Sequence, residues 1–344
     1  MPVYEVDPLK DPRWSRFVLE HPHSSVFHSL QWLTALRRTY NYRSTVLTCE
    51  SATEPLKCGI VLAHVNSWLT GSRLVSLPFS DHCDPLVSNS DQMAILLKRT
   101  AEESSGLRFA ELRPRFELQA SARDFQPHME YFLHTVNLNG SLDEIFSRLH
   151  KDGVQRKIRR ADNENVVLSK GRSPELLRHF YELQLKTRRR HQIPPQPFIW
   201  FQNLLNCFGD RLTVYVASLQ NRPIASIMTL RHNESMVYKY GCSDEKFHRA
   251  GAMPRLFWEL FQDAHANRLK EVDLGRSEIE NAGLVRFKDH LGAERTTLRY
   301  WRSSLAQSHR ANQSRAGTLT KNIVSRLPDP IFQLAGRLFY RHAG

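Results

Sequence analysis

Between Met236 and Trp301 the chain gathers residue types able to handle an activated acyl or phosphate-bearing group. The order reads strand (MVYKYGC), loop (SDEKFHRAGAM), helix (PRLFWELFQDAHANR), strand (EVDLG) and a second loop carrying GLVRFKDHLGAE. A strand that ends in a glycine-bearing basic loop and feeds a helix start is an anion trap. Loop amides and the helix dipole direct positive charge at one point. Arg249 and Gly251 lie in that loop, and Lys288 follows the next strand, where it could fold back over the same site. Lys288 is therefore a candidate fixed cation, against the plainer alternative of a surface lysine after a turn. Asp273, near the end of EVDLG, either accepts a proton from an attacking amine or pairs with Arg276 or Lys288.

The elements that must position these groups recur twice. RLTVYVASL (211–219), PIASIMTLR (223–231) and MVYKYGC are β-rich runs divided by QNRP and HNES turns, the pattern of a meander. The following helix has Pro254 at its start and sets Leu256, Phe257, Leu260, Phe261 and Ala264 on one face. The first half repeats the order, with strands at 44–50, 59–68 and 73–79, a helix at 91–105 and a strand at 108–114. Both halves thus read β-β-β-α-β. Between them, 129–138 reads as a strand, and Ser141 with Glu144 forms a capping box for a helix expected to continue through Arg160. That helix would bring Arg156, Arg159 and Arg160 to one side with Lys157 adjacent, a set suited to phosphate oxygens or to a plain solvated face. A further helix over 173–191, capped by Ser173, precedes an aromatic-rich helix ending at Gly209.

Net charge is +13, and two segments hold most of the excess: 151–190 with +7 and 303–344 with +5. A focused basic field favours polyanions such as RNA, nucleotide sugars or anionic lipid surfaces, or simply keeps a protein soluble. Hydrophobic content of 41% argues for a globular chain, and no apolar run approaches the ~18 residues that span a bilayer, which points to a cytoplasmic protein. Five cysteines without C-x-x-C spacing read as free thiols, and His82, Cys83 and Asp84, lacking a second cluster, read as a polar loop, not a metal site. No G-x-S-x-G or H-E-x-x-H occurs, which argues against hydrolases of those types.

RKIRRADNENVVLSKG, YELQLKTRRRHQIPPQPF and EVDLGRSEIENAGLVRFKDHLGAE, with the duplicated element order, resemble the FemAB-like (BioF2-like) branch of the GNAT acyltransferases over residues 10–302. VFHSLQW, FAELRPR and RLPDPIFQLAGRLFYRHAG resemble the FemAB-related proteins of exosortase and exopolysaccharide loci. The resemblance implies an α/β (α+β) protein of two tandem GNAT-like domains, each a mostly antiparallel mixed sheet flanked by helices. The expected division is an acceptor-side domain at 1–128, an acyltransferase domain at 129–302 and a basic amphipathic tail at 303–344. It implies that Phe287-Lys288 holds the acyl donor and contributes to catalysis, and that the strand bearing Tyr240 and Gly241 opens a gap for the acyl group. The pyrophosphate loop of the family, Q/R-x-x-G-x-G/A, is altered here to HRAGAM, with His248 and Met253 at its ends. The co-substrate therefore stays open between acyl-CoA and aminoacyl-tRNA. The implied acceptor is a nucleotide- or lipid-linked sugar or peptide carrying an amine. A third possibility is a non-catalytic protein binding RNA or an anionic glycolipid. The tail either lies on the inner face of a membrane or packs as an ordinary amphipathic helix.

Overall fold

β-prone runs broken by Asn, Pro and Gly turns fold, in the computed structural model, into two units; residues 2–118, 123–303 and 327–344 are described. Of these, unit 1 takes in residues 2–118, 123–131, 297–303 and 337–344, and unit 2 residues 132–296 and 327–336. Two strands, one covering Tyr131 and one covering Thr297, therefore begin in one unit and end in the other.

Unit 1 contains β1 (Tyr4–Val6), α1 (Pro12–Glu20), α2 (Leu30–Tyr40), β2 (Arg43–Thr48), β3 (Ile60–Val65), β4 (Arg73–Val75), α3 (Ser90–Glu103), β5 (Ala110–Leu112) and the first half of β6 (Phe125–Asn137). β2–β3 and β3–β4 pair antiparallel, and β4–β5 pair parallel. Its core includes Leu47, Ile60, Leu62, Leu74, Leu96, Leu97 and Leu112, all buried.

Unit 2 continues with α4 (Leu142–Arg148), α5 (Arg156–Asn163), β7 (Val167–Gly171), α6 (Pro174–Arg190), α7 (Phe198–Phe208), β8 (Leu212–Leu219), β9 (Arg222–His232), β10 (Ser235–Ser243), α8 (Ala252–Ala266), β11 (Glu271–Glu278) and α9 (Ala282–His290). The chain then forms β12 (Glu294–Ser303), most of which belongs to unit 1, and α10 (Asp329–His342). β8–β9 and β9–β10 are antiparallel and β10–β11 parallel, so the pairing pattern of unit 1 recurs. This is the mixed, mostly antiparallel α/β architecture expected. The predicted apolar face of α8 (Leu256, Phe257, Leu260, Phe261, Ala264) is wholly buried.

Three local expectations are corrected. The helix predicted to run from the Ser141 capping box through Arg160 is broken: α4 ends at Arg148, Leu149 is extended, and a wide turn spans Lys151–Gln155 before α5. The break is tied to α9, since His150 N–H donates to the His290 carbonyl (2.9 Å) and the two imidazoles stack at 3.9 Å. A Cβ on Gly153 would strike the His290 ring and displace it from the stack. Secondly, Lys288 lies on a helix, not in a loop, with Asn281 capping its start through Leu284 N–H. Thirdly, α8 begins at Ala252, two residues before Pro254, because Gly251 takes a left-handed conformation (φ 74°) and turns the chain. Of the predicted tail, 304–326 lies outside the described residues.

Phe257 joins α8 to β10 and α9 through ring contacts with Tyr238 (4.7 Å) and Phe287 (5.5 Å). Phe257→Ala is expected to cost about 3–5 kcal/mol in urea unfolding. A loss below about 1 kcal/mol would contradict the packing described.

Candidate functional site

β10 and β11 pair only from Ser235↔Glu271 to Val237↔Asp273, although both strands run on to Ser243 and Glu278. Beyond that point the edge of β10 has no register with β11. Two features attend the parting. β10 carries a bulge between Tyr238 and Tyr240. β11 contains Gly275 with φ 72°, where the backbone changes direction.

A cleft of about 680 Å³ lies beside the free end of β10. Its apolar lining comes from Ile224, Phe247, Met253, Leu284 and Phe287, and its polar lining includes Lys157, Arg190, Ser243, His248 and Asn281. The His248 ring nitrogen Nε2 lies 3.0 Å from Ser243 Oγ and 3.2 Å from the Arg190 guanidinium. Both neighbours can donate to it, which fits an unprotonated Nε2. Partial burial first, and Arg190 next, hold His248 below the usual imidazole range. At the start of α8 the helix-end amides belong to Ala252 and Met253, since Pro254 has no N–H.

The residues singled out from sequence are distributed unevenly about this cleft. Phe287 and Lys157 line it. Lys288 is buried and turned the other way, donating from Nζ to the carbonyls of Gly275 and Arg276, each at 2.9 Å. Asp273, also buried, accepts the Gly275 N–H at 2.7 Å. Lys288 and Asp273 thus meet on Gly275, from either side of its backbone. Tyr240 is buried against Phe201 (5.1 Å), and its hydroxyl accepts from Trp200 Nε1 (2.8 Å), so its side chain does not line the cleft. Gly241 leaves room for the Tyr238 hydroxyl, which a Cβ would overlap.

Gly251 packs against the Lys157 carbonyl, which a Cβ would likewise overlap, so α5 closes over the turn that starts α8. Arg249 is exposed in the short turn Glu245–Ala250 and does not line the cleft. Arg156 pairs with Asp152 (3.1 Å) and Arg160 with Glu164 (2.6 Å), both at helical spacing on the exposed surface. Arg159 is exposed beside them. Of the four basic α5 residues, only Lys157 reaches the cleft.

Sequence reading missed Arg190, Ser243 and Asn281, and took His248 only as a departure from a motif. It also missed His134 on β6. Its buried ring lies 3.4 Å from Asp289 and 3.5 Å from Ser277 Oγ. Burial, followed by the Lys288 charge, pushes its pKa down to about 4. No spacing links these positions; the fold assembles them.

The loop at His82–Asp84 is structural. His28 Nδ1 accepts the Ser25 N–H (3.0 Å), which places its proton on Nε2, facing the Asp84 carbonyl (2.9 Å) and Cys83 Sγ (3.3 Å). That imidazole cannot take the thiol proton, and burial pushes the Cys83 thiol well up. Among the described residues, no group of three or more His, Cys, Asp or Glu could hold a metal ion.

Residues 148–289 match the family model described as acetyltransferase (GNAT) domain. No curated protein matches the chain. Among solved structures, FemX is similar at TM-score 0.68 and 12% identity, over 87% of this chain and 97% of that one. L-PGS from Bacillus licheniformis is similar at TM-score 0.55 and 16% identity, over 92% and 96% of the two chains. A tandem GNAT protein from the clavulanic acid biosynthesis pathway matches at TM-score 0.54 and 11% identity, over 90% and 99%. At such identities the likeness establishes a fold, here that of tandem GNAT proteins.

Two measurements test the local geometry. Gly251→Ala should destabilise by about 1–3 kcal/mol, because a Cβ meets both the left-handed backbone and the Lys157 carbonyl. Equal thermal stability would contradict this. His134 has a folded pKa below its unfolded value, so between about pH 6.5 and 4 the unfolded chain binds more protons. Its contribution is present above that window and is lost as pH falls through it, at no more than about 1.4 kcal/mol per pH unit. His232, also held down to about 4 by burial, acts in the same sense. His134→Gln should therefore flatten the pH dependence of unfolding only in part, and an unchanged profile would exclude the assignment.

Proposed function

Since the chain carries a GNAT acyltransferase domain of the FemAB-like type, we propose that it transfers an acyl group from acyl-CoA to an amine on a cell-envelope or exopolysaccharide precursor. The carrying observation is the parting of β10 from β11 beside a cleft with an apolar floor and the cations Lys157 and Arg190. An acyl chain suits the floor, and the donor's phosphates suit the cations and the start of α8. Attack by the amine builds negative charge on the acyl oxygen. Backbone N–H groups on the unpaired edge of β10 around Gly241 are the nearest fixed donors for it.

In this reading Lys288 is a positioning residue. Its ammonium fixes the carbonyls of Gly275 and Arg276 while the adjacent Phe287 lines the cleft. Asp273 holds the same turn through Gly275 N–H. A second reading takes an aminoacyl-tRNA as donor. The packing of the Lys157 carbonyl against Gly251 favours it, because α5 then covers part of the turn that a pyrophosphate would use. A nucleotide-linked acceptor would keep the protein in the cytoplasm and a lipid-linked one would bring it to the inner face of the membrane; among the described residues no helix is long and apolar enough to cross one.

Acetyl-CoA should raise the melting temperature, and Lys157→Ala with Arg190→Ala should abolish that rise. Stabilisation by aminoacyl-tRNA and not by acetyl-CoA would select the second reading. Lys288→Met should lower kcat by about 100-fold with a smaller change in KM, partly restored by Lys288→Arg. Unchanged transfer by Lys288→Met would remove the residue from the mechanism.

A further inference from the structure

Outside the cleft, unit 1 presents an apolar surface whose support is polar. Trp68 and Leu69 are 86% and 62% exposed at the tip of a turn, and Leu338 and Phe339 are 57% and 46% exposed on the last turns of α10. The turn is not loose. Ser67 Oγ accepts the amides of Leu69 (3.2 Å) and Thr70 (2.8 Å) and lies 3.0 Å from His342 Nδ1. Thr70 Oγ1 donates to the His342 carbonyl at 2.8 Å, and Arg73 donates to the same carbonyl at 2.9 Å. The Trp68 ring meets the His342 ring edge-on at 5.6 Å. Leu338 lies one helical turn before His342, on the same side of α10. The bonds beneath thus fix two large apolar side chains outward, next to two more.

The charged side chains of the two segments that carry this surface are all basic. Arg108 donates to the Thr70 carbonyl at 2.7 Å, and Arg337 and Arg341 are exposed on α10. Residues 66–73 and 330–344 contain no Asp or Glu. Tryptophan and leucine at a tip flanked by arginines match the boundary between acyl chains and anionic headgroups. There the ring suits the interface and the guanidinium groups suit lipid phosphates.

We propose that unit 1 docks on an anionic lipid bilayer through Trp68, Leu69, Leu338 and Phe339, with Arg108, Arg337 and Arg341 against the headgroups. The inference builds on the envelope acceptor proposed above, and its test uses neither donor nor acceptor, so either can fail alone. The full chain is mixed with vesicles of phosphatidylcholine with or without 30% phosphatidylglycerol, and bound protein is read by co-sedimentation. Of the six tryptophans only Trp68 is mostly exposed, so its burial should shift the emission to the blue.

Binding should need phosphatidylglycerol and weaken as salt rises from about 0.1 to 0.5 M. Trp68→Ala with Leu69→Ala, and separately Leu338→Glu, should lower the partition coefficient at least tenfold while circular dichroism and the melting temperature are unchanged. Absence of binding by the native chain, or equal binding by both variants, would overturn the proposal. So would a native dimer, seen by size-exclusion chromatography, that these substitutions split, because the surface would then cover a second copy.

Discussion

One buried ammonium braces the strand that parts from β10 beside the cleft. Lys288 Nζ reaches from α9 to two consecutive carbonyls of β11, those of Gly275 and Arg276, while Asp273 takes the Gly275 N–H from the other side. A charge inside a protein is tolerated only when dipoles or countercharges surround it. Here two backbone carbonyls are among its partners, at the point where β11 takes a left-handed step. The strand cannot relax back into register with β10 without stripping the lysine of its acceptors. Lys288 itself does not line the cleft, whereas Phe287, before it in sequence, does.

The local rules of the sequence carried far. The Ser141–Glu144 box, the Ser173 cap, the α8 stripe and both β-β-β-α-β series could be read from periodicity and turn chemistry, because each is decided by neighbours within a few residues. Lys288 could be read as important, but its direction could not: whether an ammonium faces a cleft or a strand depends on helix rotation. Tyr240 and Gly241 were legible by the place of their strand, but that the Tyr240 ring packs on Phe201 was not. Arg190, Ser243, His248 and Asn281 come from three elements and a loop, and only tertiary closure brings them to one wall. The break between α4 and α5 was hidden for the same reason, since its cause, the stacked pair His150–His290, spans 140 residues.

The basic excess likewise resolves into groups of different kinds. Arg156 and Arg160 spend their charge on Asp152 and Glu164 one helical turn away, exposed pairs of little energetic weight. Lys186 and Arg222 share Asp244, whose carboxyl is held below its usual range: burial would raise it, and these cations outweigh that effect. Counting charge along the chain therefore overstates the field at any one place. Lys157 and Arg190 are the members of that excess that meet at the cleft.

The bulge in β10 has a consequence of arithmetic. In a regular strand, residues two apart share a face, so Tyr238, Tyr240 and Cys242 would all look the same way. The extra residue at the bulge shifts the count by one. Tyr238 then meets Phe257 of α8, whereas Tyr240 and Cys242 meet Phe201 and the Phe180 carbonyl beneath α6 and α7. Gly241 and Ser243 inherit the α8 side, where one makes room for a phenol and the other lines the cleft. Which side chains face the chemistry is thus set by parity. Substitutions along β10 change what the wall is made of. Removing Lys239 at the bulge would make Tyr238 and Tyr240 consecutive, as their partners Thr229 and Met228 already are, and would leave the wall as it is; removing a residue beyond the bulge would exchange the wall for the opposite core.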